Sequence, residues 1–416
     1  MEFTLAQNSW FGGEAAKITL PDDWDVTWCG IEADSAPVLT RAELKAVIDS
    51  PTGSGTISEL ARGKKEVAIV FDDMSRGTPC ADIAEMIVDE LLASGIDRRH
   101  IRFICALGSH GSCDRTFFEK KLGPRIVREF AIFNHNAFQN TTYVGTTKGG
   151  VELYINSELM ACDLKIGIGS ISPHPVNGFG GAKIVAIGCG DIRTISQLHD
   201  ACRRGMVEEG LSFVECTGNL AHSAMRREIE EAGRLIGLDF KVDAVLNSNC
   251  GIVALTAGDP VEEYYKGVEY AIRYNFAAKK PENMDVVIVN ANVKANEAGL
   301  AIGLGGFLLR PNGTIVIVDF IRSGQVLHQY SGPSGWFTGG PGYRGRNPMN
   351  GVERVILYTP NPDFSSVINF GDPDKIEMVC SWEEVLRLLG KYGAGTRSAV
   401  VADGTITAYP VGQKNG

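Results

Sequence analysis

Histidine is scarce in this chain, with seven in 416 residues, so where the imidazoles fall carries information. His110 closes ALGSH after an apolar run, His174 sits in the glycine-rich segment as SPHP, and His199 ends ISQLH just beyond it. An imidazole exchanges a proton near neutral pH or ligates a metal, and two of them on opposite faces of a substrate make an acid/base pair. A single loop histidine is more often a hydrogen-bonded surface group, and His100, His135, His222 and His328 are read that way. The expectation for His110, His174 and His199 is convergence on one crevice.

Two further motifs carry chemistry. In DDMSRGTP, Asp73 stands where a strand ends and Ser75 and Thr78 just before a helix, so amides and hydroxyls there suit a phosphate at a helix N-terminus. Arg76 adds a planar cation matched to carboxylate or phosphate. Asp and Ser are also ordinary helix caps, and both readings stay open at this point. GFGGAK, Gly178 to Lys183, is similar to a phosphate loop but lacks the G-K-[ST] ending of a nucleoside-triphosphate site. Its glycines suit a planar group lying against the backbone, with Lys183 as an amine able to form a covalent link. No G-x-G-x-x-G follows an expected strand, so a dinucleotide site is not supported.

The elements that position these residues alternate short β-branched runs with amphipathic helices, the pattern of parallel strands joined by crossover helices. Strands are expected at 66–71, 101–107 and 164–168, helices at 81–94 and 115–122, a long helical stretch over 192–232, a strand from 241, and a helix over 261–278. Ligands of open α/β sheets bind beyond the carboxyl ends of the strands, and all three chemistry-bearing loops lie there. Pro281, after two lysines, reads as a linker. A second α/β domain then begins with a strand at 285–289, a loop and helix in NANVKANEAGLAIGLGGF, and a strand in GTIVIVDF. The expected fold class is α/β, with two domains (1–281 and 282–416), largely parallel sheets and an active-site cleft between them. The Gly/Pro-rich segment 331–351 is too long for a tight turn and reads either as a wall of that cleft or as surface padding.

Composition removes other classes. With 40 basic against 50 acidic residues and a net charge of −10, nucleic acid is not expected as a partner. No run approaches the roughly 18 apolar residues of a membrane span, and the start lacks a basic then apolar leader pattern, so no membrane partner and a cytoplasmic setting are expected. The ten cysteines show no C-x-x-C spacing and read as reduced, largely buried thiols.

Taken together and in order, DDMSR, GSH, PHPVNGFGGAK and the later LH resemble the nickel-pincer lactate racemase family over about residues 66–200. The resemblance implies an isomerase, a racemase or epimerase of 2-hydroxy acids. It implies a nickel-pincer nucleotide cofactor (nickel pyridinium-3,5-bisthiocarboxylate mononucleotide), tethered through Lys183, with its nickel bound by His199. It implies His110 and His174 as the acid/base pair, and Asp73, Met74, Ser75 and Arg76 as cofactor contacts, Arg76 also holding substrate. The implied partners are a small 2-hydroxy acid and the enzymes that make the cofactor, and a homo-oligomer is compatible. Departures are visible: nine positions separate His174 from Lys183, Ile187-Gly188 stands where Pro-Gly usually follows the lysine, and 290–306 lacks the tyrosine, glutamine and late lysine of lactate-specific members. These point away from lactate itself, with Lys294 read either as taking a carboxylate or as a solvated lysine at a helix start, and Glu297 and the 331–351 loop as reading a larger or more polar acid. Two alternatives stand beside this reading: a metal-dependent hydroxyacid hydro-lyase using the three histidines as ligands, and a non-catalytic nickel-cofactor-binding relative.

Overall fold

The structure is a computed structural model, and it describes residues 1–410 apart from 8, 9, 11, 182–184, 211, 212, 221, 222, 327–348, 350, 365, 366, 368 and 369. Lys183, His222, His328 and nearly all of the 331–351 segment therefore lie outside the described residues.

The chain is of the expected α/β class, built on two six-stranded sheets. The first runs, edge to edge, Ile252–Gly258, Phe240–Leu246, Leu164–Ser170, Val67–Asp72, Ile101–Ala106, Ala131–Asn134. All its neighbours are parallel except the first pair. Val67–Asp72 is buried along its whole length, as a near-continuous apolar run in the middle of a covered parallel sheet should be. Its register sets Phe71 beside Ile168 and Asp72 beside Ala106. Three parallel neighbours thus end together, and the loops carrying Asp73, His110 and His174 leave the same edge. The helix Ala81–Ala93 covers one face through Ile83, Met86, Ile87 and Leu91, spaced as an apolar helical stripe must be.

The second sheet is wholly parallel: Ile376–Val379, Val352–Tyr358, Leu309–Val318, Met284–Asn290, Arg397–Val401, Asp25–Cys29. Its last strand comes from the start of the chain. Leu5, Ile18 and Trp24 likewise pack in one core cluster with Ile288 and Val316, so strand membership does not divide at 281. Nothing in the first thirty residues marks this in sequence, because an edge strand such as DVTWC, mostly exposed, has no strong periodicity.

Other differences are local. The stretch 192–232 is not one helix but Ile192–Glu209, a turn at Phe213–Cys216 and the start of Ala224–Ile236, interrupted where Gly210 and Gly218 take positive φ. The helix expected at 115–122 continues to Glu129 across a kink at Gly123-Pro124. The antiparallel pair Thr141–Thr146 and Glu152–Asn156 was not expected. Among the described residues no helix is long and apolar enough to cross a membrane, and none of the ten cysteines is in a disulfide.

Candidate active site

Residues that follow strands of the two sheets at their carboxyl ends touch one another: Arg76 pairs with Glu297, and Asn292 donates to the Ser248 carbonyl at 2.8 Å. Asp73 turns the chain out of Val67–Asp72: its Oδ1 accepts from the Ser75 amide at 3.0 Å and the Ser75 hydroxyl at 2.6 Å. This is the side-chain-to-backbone bond that makes Asp a turn former. Its other oxygen accepts from His110 Nδ1 at 2.5 Å. The loop of His110 is fixed from the far side, where the Gly108 amide donates to Gly188 at 2.8 Å. Gly108 has φ +56°, and a Cβ there would lie 3.1 Å from the Ile187 carbonyl, so only glycine permits the approach. The 107–110 loop is thereby tied to the turn that follows Lys183.

With Nδ1 donating to Asp73, the working nitrogen of His110 is Nε2, which lies 3.9 Å from Glu297 Oε1. Burial opposes its charge, but Asp73 outweighs that and Glu297 adds to it, so the imidazolium persists to higher pH than in water. Asp73 responds in the opposite sense. Burial would raise its carboxyl, yet His110 and Arg76 hold it well below the ordinary range. Arg76 pairs with Glu297, in the 3-10 turn Ala295–Glu297 that follows the strand Met284–Asn290, and both side chains are largely buried.

Beneath this turn is a residue that sequence reading missed. Lys121, on the helix Arg115–Glu129, is 1% exposed, pairs with Asp72, and donates to the carbonyls of Asp73 at 3.2 Å and Arg76 at 2.8 Å. It props the 72–76 turn from below. The signal was available, for Lys121 falls four and three residues after Phe117 and Phe118 on the apolar side of the helix, a place no lysine occupies without a partner. Lys121→Met should cost about 3 kcal/mol, because it strands a buried carboxylate. Urea unfolding would measure it, and since Asp72 is already pushed upward by burial despite Lys121 and Thr78, the loss should shrink in acid, where Asp72 is neutral.

Lys294 follows the strand Met284–Asn290 and is 2% exposed. Burial, reinforced by Arg76 and only partly offset by Glu297 and Asp403, brings its ammonium down to about 7. Asp403 organises this side of the junction, accepting from the Val293 amide at 2.7 Å and the Thr405 hydroxyl at 2.6 Å.

His174 lies in a two-residue pairing, Pro173–His174 against Gly178–Phe179, and is 8% exposed. Its Nδ1 accepts from the Val176 amide at 3.1 Å, which places the proton of the neutral ring on Nε2. His199, on Ile192–Glu209, has the opposite arrangement: Nδ1 donates to the Ile195 carbonyl at 2.8 Å. The Nε2 lone pair is then the ligating one, the tautomer a metal-binding histidine needs. Cys202 Sγ, one turn on, donates to the Val176 carbonyl at 2.9 Å, which links the His199 helix to the His174 loop. Met74 is buried in the turn.

Of the residues expected from sequence, then, Asp73, Ser75, Arg76 and His110 form one hydrogen-bonded group with Glu297 against it and Lys294 within electrostatic reach. The His174 loop is joined to the helix that carries His199 through Val176 and Cys202. His135, read from sequence as a surface histidine, is instead 3% exposed, held by the Gly190 carbonyl at 2.8 Å. Burial lowers it to about 4, so it is a neutral core residue. Among the described residues no three His, Cys, Asp or Glu side chains gather as a ready metal site.

A family model described as the lactate racemase N-terminal domain matches residues 11–209. Lactate racemase from Thermoanaerobacterium thermosaccharolyticum is 25% identical over 358 residues, covering 83% of this chain and 80% of that protein. Lactate racemase from Lactiplantibacillus plantarum is 30% identical over 227 residues, 54% of this chain and 52% of that protein. Among solved structures, the lactate racemase apoprotein of T. thermosaccharolyticum aligns with a TM-score of 0.73 at 18% identity, over 99% of this chain and 100% of that one. A Thermotoga maritima protein aligns with a TM-score of 0.65, also at 18% identity, over 89% and 98%.

Proposed function

We propose, from the premise that the chain is a lactate racemase-family homologue, that it is an isomerase that racemises or epimerises a 2-hydroxy carboxylic acid, with the substrate held where the residues beyond the carboxyl ends of strands in its two sheets touch. The observation that carries the reading is the Asp73–His110 pair set against Arg76, a proton-handling imidazole beside a carboxylate-binding cation. The chain is proposed to divide near 281, apart from the strand Asp25–Cys29, and to work in the cytoplasm on small molecules, with its cofactor supplied by separate biosynthetic enzymes.

The proposed cofactor is a nickel-pincer nucleotide. Two features of the chain fit it. His199 commits its Nδ1 to the Ile195 carbonyl, so Nε2 is the nitrogen that would bind the nickel. Close to the 178–183 loop, Asn177 is fully buried with both amide atoms unpartnered, and the two Nη atoms of the buried Arg226 are unpartnered as well. Arg226 stacks 3.5 Å from the Tyr264 ring, the same ring a Cβ on Gly181 would strike at 2.7 Å. Buried polar groups without partners are costly, and a polar nucleotide beside Lys183 would relieve that cost. When bound, such a cofactor supplies an acceptor for the C2 hydride, which matters because a C–H beside an ionised carboxylate is a very poor acid.

The residues of the chain do the rest. Arg76 and Lys294 hold the substrate carboxylate, and Glu297 must give up part of its hold on Arg76 as that carboxylate arrives. His110 keeps a proton at Nε2 that it returns to the C2 oxygen when the C–H bond re-forms, its charge sustained by Asp73. His174 starts neutral with its proton on Nε2, so taking a second proton means surrendering the Val176 bond.

Intact mass of protein made anaerobically in a host that synthesises the cofactor, beside Lys183→Ala, tests the reading. An adduct of nickel-nucleotide mass that vanishes in the variant supports it. No adduct on either protein, under conditions that load a known relative, overturns the tether.

A further inference from the structure

A cavity of about 350 Å³ opens between the His174 loop and the second sheet. One wall is Pro173, Pro175 and Val176, and the opposite wall is Leu300, Leu304 and Phe307 on the helix Leu300–Leu308. Among the described residues no charged side chain lines it. Two of its three threonines have their hydroxyls turned to Asp403: Thr405 donates to the carboxylate at 2.6 Å and Thr407 to the main-chain carbonyl. The wall is therefore apolar on nearly every side, and glycines at 299, 303 and 404 widen it.

Its position is as telling as its lining. His174 stands between the two prolines of one wall, Leu300 follows Glu297 by three residues, and Thr405 accepts from the Lys294 amide at 3.2 Å. The cavity is thus flanked by a proton-handling group on one side and by the carboxylate-holding groups on the other. A substrate with its carboxylate at Arg76 and Lys294 and its C2 between the histidines has one substituent left to place.

Resting on the racemase reading above, we propose that this cavity takes the side chain of the substrate, and that the substrate class is 2-hydroxy acids with branched aliphatic or aromatic side chains rather than lactate. Small-ligand pockets begin at about 300 Å³, far more room than the single methyl of lactate fills. Each methylene buried in such a wall is worth roughly four-fold in binding. The sugar and phosphate of a nucleotide would find no charged partner along these walls.

The test uses the full chain loaded with cofactor, its loading read by intact mass, and chiral chromatography of lactate, 2-hydroxy-4-methylpentanoate and 3-phenyllactate. The expected result is a kcat/KM for the two larger acids at least 10-fold above that for lactate. Leu300→Trp, which fills the cavity from a half-buried position, should lower that ratio 10-fold or more, and Phe307→Ala, which enlarges it, should shift preference toward the larger acid. Saturation-transfer NMR supplies a reading independent of turnover: the methyl signals of 2-hydroxy-4-methylpentanoate should receive magnetisation from the protein and lose it in Leu300→Trp. Inversion of lactate at least as fast as the larger acids overturns the substrate class while leaving the racemase reading intact. Loss of the cofactor adduct in Leu300→Trp overturns it too, by giving the cavity to the cofactor. Failure of the loaded protein to invert any of the three defeats the racemase reading instead, and the NMR transfer then decides separately whether the cavity takes an apolar chain.

Discussion

His110→Ala is expected to lower kcat by about 10²- to 10⁴-fold, the range for losing a positioned proton donor, while leaving the cofactor adduct mass unchanged. The second expectation distinguishes a proton role from a structural one. His110 reaches the site through Nε2, and the bond from its Nδ1 to Asp73 ties it to the 72–76 turn. Asp73→Asn sharpens the test. In the native chain the carboxylate holds the imidazolium above its ordinary range, so replacing it with an amide should move the His110 limb of the pH–rate profile to lower pH. Stability should follow with the sign each group dictates. The raised His110 contributes fully below about 6.5, its unperturbed value, and its contribution fades as pH climbs through the raised one. The depressed Asp73 contributes above about 3.8 and loses that contribution as pH falls toward its native value. The pair therefore stabilises most in the interval between, and thermal melts of Asp73→Asn should lose most there. An unshifted pH limb with a normal rate would remove His110 from proton transfer.

Why the parallel core was legible and much of the site was not follows from where information is written. EVAIVF and IRFICAL are buried runs whose apolarity has no other explanation, so Val67–Asp72 and Ile101–Ala106 came out nearly at their observed bounds. Their adjacency then forced the loops onto one edge. The Asp73–His110 pair follows from that same reasoning, since neighbouring parallel strands end side by side. What single-chain periodicity does not contain is the partner across a junction. Glu297 is 221 residues from the Arg76 it binds, and Asp403 is 110 from the Val293 amide it accepts. Asp25–Cys29 joins a sheet whose other members begin at residue 284. Lys121 was readable in principle, as a lysine on the apolar side of its helix, but only to a reader who asked what charge it faces.

Lys294 offers the second large effect, because a single buried ammonium near the carboxylate-binding Arg76 should dominate substrate capture. Its removal in Lys294→Met should raise KM for the 2-hydroxy acid by about 30- to 1000-fold, the cost of stripping one partner from a desolvated charge pair. The substitution keeps length and apolar bulk, so a packing defect is not the cause. The pH dependence separates this from simple loss of a contact. Burial and Arg76 bring the free ammonium to about 7, so wild-type kcat/KM should fall as pH rises past about 7, where the group becomes neutral before substrate arrives. A bound carboxylate favours the charged form, which displaces the corresponding limb of kcat to higher pH. In Lys294→Met the kcat/KM limb near 7 should disappear, while the limb belonging to His110 remains. An unchanged KM with that limb intact would leave the substrate carboxylate to Arg76 alone and reduce Lys294 to a counter-charge for Glu297 and Asp403. The two outcomes follow from one profile, measured from mildly acidic to mildly basic pH by chiral chromatography.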